Sequence, residues 1–238
     1  MAKNRRFLSL ALATFLFLSL LVAATGCSSG EKEPTLQEIW EKSESGVDIK
    51  SFSMRLSVYY LNTAFGSGIV QENIVNVNGD DLHVQSSLFG ADFLEVIKIG
   101  DRQYRKMFND KKWREEQVSV RASDYSAVGR RLSDLPNLST GSRLEGKENV
   151  GGEEVYHLVF EVSPENVTSI FPSVSTVNLS GNQGARIDVW VRVSDYMRIK
   201  YEALVKGVSI TDKIGKGDVR IVVELSNINQ PISINPPS

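Results

Sequence analysis

The sequence predicts an α+β fold built on one strongly curved antiparallel sheet, a half-barrel of about 10–11 strands capped by short amphipathic helices. Three observations predict it. Apolar and polar residues alternate with a period of two through most of residues 51–228, as in strands with one buried face. The runs are separated by turn formers such as Asn78-Gly79-Asp80, Gly100-Asp101 and Gly151-Gly152, and connections this short force neighbouring strands antiparallel. Three segments of helical period interrupt the alternation. Strand twist accumulates across so broad a sheet and curls it toward a barrel. An unclosed barrel exposes a concave apolar face, for which the helices are the natural lids.

The chain begins with Lys3, Arg5 and Arg6, then an apolar run from Phe7 to Thr25 broken only by Ser9, Thr14 and Ser19. This is the layout of a secretory signal peptide. The run ends in Leu21-Val22-Ala23-Ala24-Thr25-Gly26-Cys27. Ala24-Thr25-Gly26-Cys27 resembles the lipobox of bacterial lipoproteins, with Ala24 where Leu is preferred. The resemblance implies diacylglyceryl transfer to Cys27, cleavage just before it, and frequent further acylation such as palmitate. Two acyl chains hold a domain firmly on a membrane, whereas one is marginal. An uncleaved membrane span and simple secretion are the other readings the segment allows. The predicted organisation is thus a signal peptide over 1–26, a lipidated cysteine and tether over 27–33, a half-barrel domain over 34–228 and a loosely ordered tail over 229–238. Ser28 to Glu33 spans about 20 Å at most, so the expected location is extracytoplasmic, lipid-anchored to the bacterial cell membrane.

Removing residues 1–26, which hold three basic and no acidic side chains, leaves 24 basic against 29 acidic residues, a net charge of −5. That argues against a nucleic-acid partner. Cys27 is the only cysteine. Once acylated it leaves no thiol for disulfides, thiol catalysis or cysteine metal sites. Only His83 and His157 supply imidazoles, far apart in sequence, which disfavours a histidine zinc site. No cofactor and no metal is expected.

In chain order, Pro34 opens a helix with Leu36, Ile39, Trp40 and Ser43 on one face and Gly46 placed to end it,. Phe52, Met54, Leu56, Val58 and Tyr60 then alternate with polar neighbours in a first strand. Strand runs follow at 68–77, 82–88, 93–99, 103–108 and 112–117. A second helix is expected over Ala122–Leu135, capped by Ser123, with Tyr125, Val128, Leu132 and Leu135 on one face and Pro136 stopping it,. Strands resume at 142–150 and 154–162. Ser163-Pro164-Glu165 starts a third helix, with Val167, Ile170, Phe171 and Val174 as its apolar face, interrupted at Pro172,. The last strands are expected at 187–193, 197–206 and 219–228 in meander order, before a proline-rich end.

Alternation places Met54, Leu56, Val58, Val75, Val77, Ile187, Val189, Val191, Val219, Ile221 and Val223 on the inward wall, with Trp40, Tyr125 and Phe171 on the lid side. Together they outline a candidate ligand cavity. Core packing is the plainer reading of any one of them. The segment 102–114 interleaves Arg102, Arg105, Lys106, Lys111, Lys112 and Arg114 with Tyr104, Phe108 and Trp113. Outside the cytoplasm such a hairpin reads either as a contact for anionic headgroups or as a solvated hairpin neutralised by Asp101, Asp110, Glu115 and Glu116. No Gly-x-Ser-x-Gly elbow accompanies the histidines,, and no catalytic residue is expected.

Val47-Asp48-Ile49-Lys50-Ser51-Phe52-Ser53-Met54, then 96–106 with Lys112-Trp113, and Ile187-Asp188-Val189-Trp190-Val191, set in this order of helices and strands, resemble the LolA-like lipoprotein carrier superfamily, most of all its LppX and LprG type. The resemblance covers most of residues 34–228. It implies a helix-capped half-barrel that binds a hydrophobic ligand, lipid or lipoprotein acyl chains, for transfer between membranes or proteins, and an envelope protein or transporter as partner. It brings no catalytic residue. Two rivals stand beside it: an envelope scaffold lipoprotein whose half-barrel is filled by its own side chains, and a hydrolase of envelope lipids, which would need a nucleophile and a base in reach.

Overall fold

A computed structural model describes residues 32–45, 48–125, 132–170 and 179–237. Cys27, Gly46, Val128, Phe171 and Val174, each assigned a role above, lie outside them. From Thr35 onward the chain forms one unit.

The first arm of the sheet comprises β1 (Ser51–Thr63), β2 (Gly66–Asn78), β3 (Asp81–Leu88), β4 (Ala91–Ile99), β5 (Arg102–Met107) and β6 (Arg114–Glu116). The second comprises β7 (Ser139–Val150), β8 (Glu153–Val162), β9 (Ala185–Arg192), β10 (Arg198–Thr211) and β11 (Gly215–Ser226). All eleven pair antiparallel in one sheet of order β6-β5-β4-β3-β2-β1-β11-β10-β9-β8-β7. Connections of a few residues account for the neighbours within each arm except β8 and β9, whose link carries the helix Pro164–Ile170. The junction is different: β1 pairs with β11 from Ser53 opposite Ser226 to Leu61 opposite Asp218, so two meanders meet in mid-sheet instead of one running from edge to edge. The sheet is curved and open, with β6 and β7 as its edges.

Helix α1 (Leu36–Glu44) starts after a capping box. The Thr35 hydroxyl accepts from the Glu38 amide at 3.3 Å, and the Glu38 carboxylate accepts from the Thr35 amide at 2.7 Å,. Thr35, not Pro34, therefore opens the helix, which buries Ile39 and Trp40. The second predicted helix differs. Residues 122–125 are helical, with the Asp124 carboxylate accepting from the Arg121 amide at 2.9 Å, and a separate short α2 (Leu135–Leu138) follows. Pro136 lies in the first turn of α2 and does not stop a longer helix, because a first-turn N–H has no helical acceptor to lose. Helix α3 (Pro164–Ile170) begins on its proline and buries Val167 and Ile170, as the sequence predicts.

The large apolar cluster lies on one face of the sheet, under these helical segments. A smaller one, Val155, Trp190, Met197 and Ile199, lies on the other. The first residues of the tail are tied down: Asn229 accepts from the Lys50 amide at 2.8 Å, and the Gln230 carbonyl accepts from the Ser51 hydroxyl at 2.7 Å.

Candidate functional site: the concave wall

Directly paired residues share a face of a sheet, so the register reads the inner wall row by row. One row runs Leu144, Leu158, Val189, Tyr201, Val223, Leu56, Asn73, Ser86, Leu94, Met107. The next runs Phe160, Ile187, Ala203, Ile221, Val58, Gln71, Leu88. From β8 to β1 both rows are apolar apart from the Tyr201 hydroxyl. On β2 and β3 they turn polar, where Gln71, Asn73 and Ser86 are half-buried and Gln71 donates to the Asn73 side chain at 3.4 Å. The two rows thus carry a polar patch on β2 and β3, beyond which Leu88, Leu94 and Met107 are apolar again.

The predicted inward residues converge. Trp40, Met54, Val58, Val75, Val77, Ile187, Val189, Val191, Val219, Ile221 and Val223 belong to one buried cluster, with Leu56 and Tyr125 packed on it half-buried. Phe171 lies outside the described residues. Ile39, placed by the sequence on the first helix's apolar face but not in the cavity, joins the lid, and Leu82, Val84, Val96, Leu158, Phe160, Tyr201, Ala203 and Val205 join the wall. The same period-two signal was present in each of those strands. Gln71 and Asn73 needed more: the β1–β2 register across the Ala64-Phe65 turn and its bulges, which places them opposite Val58 and Leu56.

On the lid side, Trp40 meets Phe160 edge to face at 5.1 Å between ring centres, and the Arg198 guanidinium stacks 4.0 Å from the Trp40 ring,. Arg198 also donates to the Ser43 hydroxyl at 3.0 Å and pairs with Glu44. Burial pushes its pKa down to about 10, still cationic at neutral pH. One half-buried arginine thus holds the C-terminal turn of α1. Burial also raises the phenols of Tyr60 and Tyr125, the latter with help from Asp124, so both stay neutral.

The histidines sit on the opposite face. His157 Nε2 is 2.8 Å from the Asp188 carboxylate, its Nδ1 is 3.4 Å from Glu148, and its ring stacks on Trp190 at 4.7 Å. Trp190 donates to Glu148. Burial acts to raise the Asp188 pKa, but hydrogen bonds from Arg186 and His157 outweigh it and hold the carboxyl below its ordinary range,. His83 pairs with Glu95 at 2.8 Å. Both imidazoles link neighbouring strands away from the concave wall. A hollow of about 290 Å³ lies at the far end of the first row, lined by Ser86, Leu94 and Met107 together with Ile74, Phe93, Lys106 and Phe108.

An open, curved antiparallel sheet with an apolar concave wall and short covering helices is the fold of the lipoprotein LppX, and this chain has it. The lipoprotein LppX of Mycobacterium tuberculosis aligns over 86% of this chain and 100% of its own, at 12% identity and a TM-score of 0.50. LprF from Mycobacterium bovis aligns over 85% and 96%, at 15% identity and a TM-score of 0.49. A LolA superfamily protein from Nitrosomonas europaea aligns over 84% and 95%, at 15% identity and a TM-score of 0.28. At such identities the likeness is one of fold. No protein-family model matches the sequence, and no curated protein does.

Proposed function

We propose that this protein is an extracytoplasmic lipoprotein, anchored through acylated Cys27, that holds lipid or lipoprotein acyl chains against its concave wall and passes them between membranes or envelope proteins, without catalysis. The observation that carries the reading is the composition of the rows. Apolar side chains, aliphatic apart from Phe160 and Tyr201, fill them from β8 to β1, and Gln71, Asn73 and Ser86 follow on β2 and β3. That order suits a ligand with long apolar chains and a polar end. Burial supplies affinity at roughly 25 cal/mol per Å² of apolar area, and the few polar groups supply orientation.

Ile187, Val189, Val191 and Val219 are 0% exposed, so their cover is the protein itself. Acyl chains therefore enter by displacing a lid. Helix α1 suits that role, since it contributes Ile39 and Trp40 to the cluster and is held at its end by Arg198. The same complete cover favours the second reading, an envelope scaffold with a filled half-barrel. Organic extraction and mass spectrometry of residues 28–238, purified without the anchor from a bacterial host, separates the two. A stoichiometric lipid is expected. An empty extract, together with failure of an added fluorescent fatty acid to bind, would sink the carrier reading in favour of the scaffold.

A further inference from the structure

Strands of the first arm alternate in direction, so the β1–β2, β3–β4 and β5–β6 turns lie at one end of the sheet. Each turn carries an exposed phenylalanine: Phe65 at 79%, Phe89 at 73% and Phe108 at 69% exposure. Phe108 stacks on Phe93, itself 36% exposed, at 6.4 Å. Large apolar side chains gathered at one end of a fold mark a surface that meets something apolar.

Phe89 makes the point independently. It occupies the first position of a two-residue hairpin turn at φ +52°, followed by Gly90 at +79°. Asn, Asp or Gly suits such a position, whereas a bulky residue there is strained. The two-residue turns Gly79-Asp80, Gly100-Asp101 and Gly151-Gly152 each begin with glycine, and the fourth, Ala64-Phe65, has no positive φ at either residue. An aromatic side chain held at a backbone cost and left in water gains nothing from the fold. Strain of this kind belongs to function.

Charge indicates the occupant. Residues 102–116 hold six basic and three acidic side chains. Each acid takes one arginine: Asp110 with Arg114 at 2.7 Å, Glu115 with Arg102 at 2.9 Å, Glu116 with Arg105 at 3.0 Å. No ion pair reaches Lys106, Lys111 or Lys112 among the described residues, and all three sit at or beside the turn that bears Phe108. Asp92 and Glu95 are the acids of β4 nearest this corner, Glu95 opposite Lys106 in the ladder and paired with His83 at 2.8 Å, so Lys106, Lys111 and Lys112 outnumber them on a chain that is otherwise net acidic. Exposed phenylalanines ringed by unpaired lysines match the two layers of an anionic bilayer surface, acyl boundary and headgroups.

We propose that this corner, the β3–β4 and β5–β6 tips, docks on an anionic lipid bilayer by inserting Phe89 and Phe108 and pairing Lys106, Lys111 and Lys112 with headgroups. The inference goes beyond the ligand reading and does not require it, since a filled scaffold would dock in the same way. Each lysine near such a surface contributes about fivefold to the contact equilibrium, and each inserted phenylalanine about tenfold.

The test uses the full chain, reconstituted in vesicles of phosphatidylglycerol and phosphatidylcholine in equal parts, with an environment-sensitive fluorophore on N109C at the tip or D101C at the opposite end of the sheet. A labelled chain with neither introduced cysteine supplies any background from Cys27. Lipid-borne quencher is expected to quench the probe at 109 and not at 101. Quenching at 109 should fall on adding salt, on replacing phosphatidylglycerol by phosphatidylcholine, and at least tenfold in contact equilibrium with K111Q/K112Q or F89S/F108S. All these side chains are exposed, so the variants fold. Equal quenching at both positions, or quenching at 109 indifferent to salt and to the lysines, overturns the proposal and leaves the corner to a protein partner.

Discussion

At the scale of single residues, Phe89 is where local and global requirements disagree. Holding an L-residue in the left-handed region costs roughly 1–2 kcal/mol, and with 73% of its surface exposed Phe89 recovers little of that by burial. Asn tolerates the conformation and is the favoured partner of the Gly that follows. F89N is therefore expected to stabilise the protein by about 1 kcal/mol, seen as a higher urea midpoint with an unchanged m value. A midpoint that falls would mean that Phe89 packs in the fold after all. This residue also shows where sequence reading stops. Asn78-Gly79-Asp80 and Gly100-Asp101 announce their turns, but Phe89-Gly90 carries only half of the signal, and its neighbourhood reads as an unassigned gap between two strands. The lone glycine was legible. That the residue before it would accept a positive φ was not.

At the scale of elements, the strands were legible because a period of two needs only one buried face, and this sheet buries one face almost everywhere. Helix limits were less so, since Pro136 can stop one helix or start another and only tertiary context decides. Helix α1 was legible in its apolar face but not in its attachment, because Arg198 is 154 residues beyond Glu44 in the chain. Arg198 contacts the Trp40 ring, Ser43 and Glu44 together. R198M keeps an apolar stem against Trp40 and removes the charge that burial penalises, so global stability should change by only about 1 kcal/mol. The end of α1 loses its hydrogen bond and ion pair, so amides of residues 36–44 should exchange about tenfold faster or more. Loss of protection spread evenly over the sheet, or none at α1, would remove the helix as the element that opens.

At the scale of the whole molecule, one pairing unites the two arms and no local signal reveals it. Turn chemistry specifies neighbours a few residues apart, so the sequence reads as one meander, and the closing of β1 on β11 depends on which two edges fit when both arms exist. Their register carries the inner rows across the junction, with Leu56 opposite Val223 and Val58 opposite Ile221. Strand β11 is paired on both sides, to β1 and to β10. Without it the arms share no ladder, and β1 and β10 become long open edges, Val- and Ile-rich on one face, of the kind that template aggregation. A chain ending at Thr211 is therefore expected to be insoluble, or soluble only as oligomers that bind thioflavin. A chain ending at Ile232, which keeps β11 and the Asn229 and Gln230 contacts to the start of β1, should unfold as cooperatively as the whole protein. A monomeric, cooperatively folding chain ending at Thr211 would show that each arm carries a core of its own. The concave wall would then be a surface between two separable sheets, and a ligand could enter by parting the arms with α1 still in place.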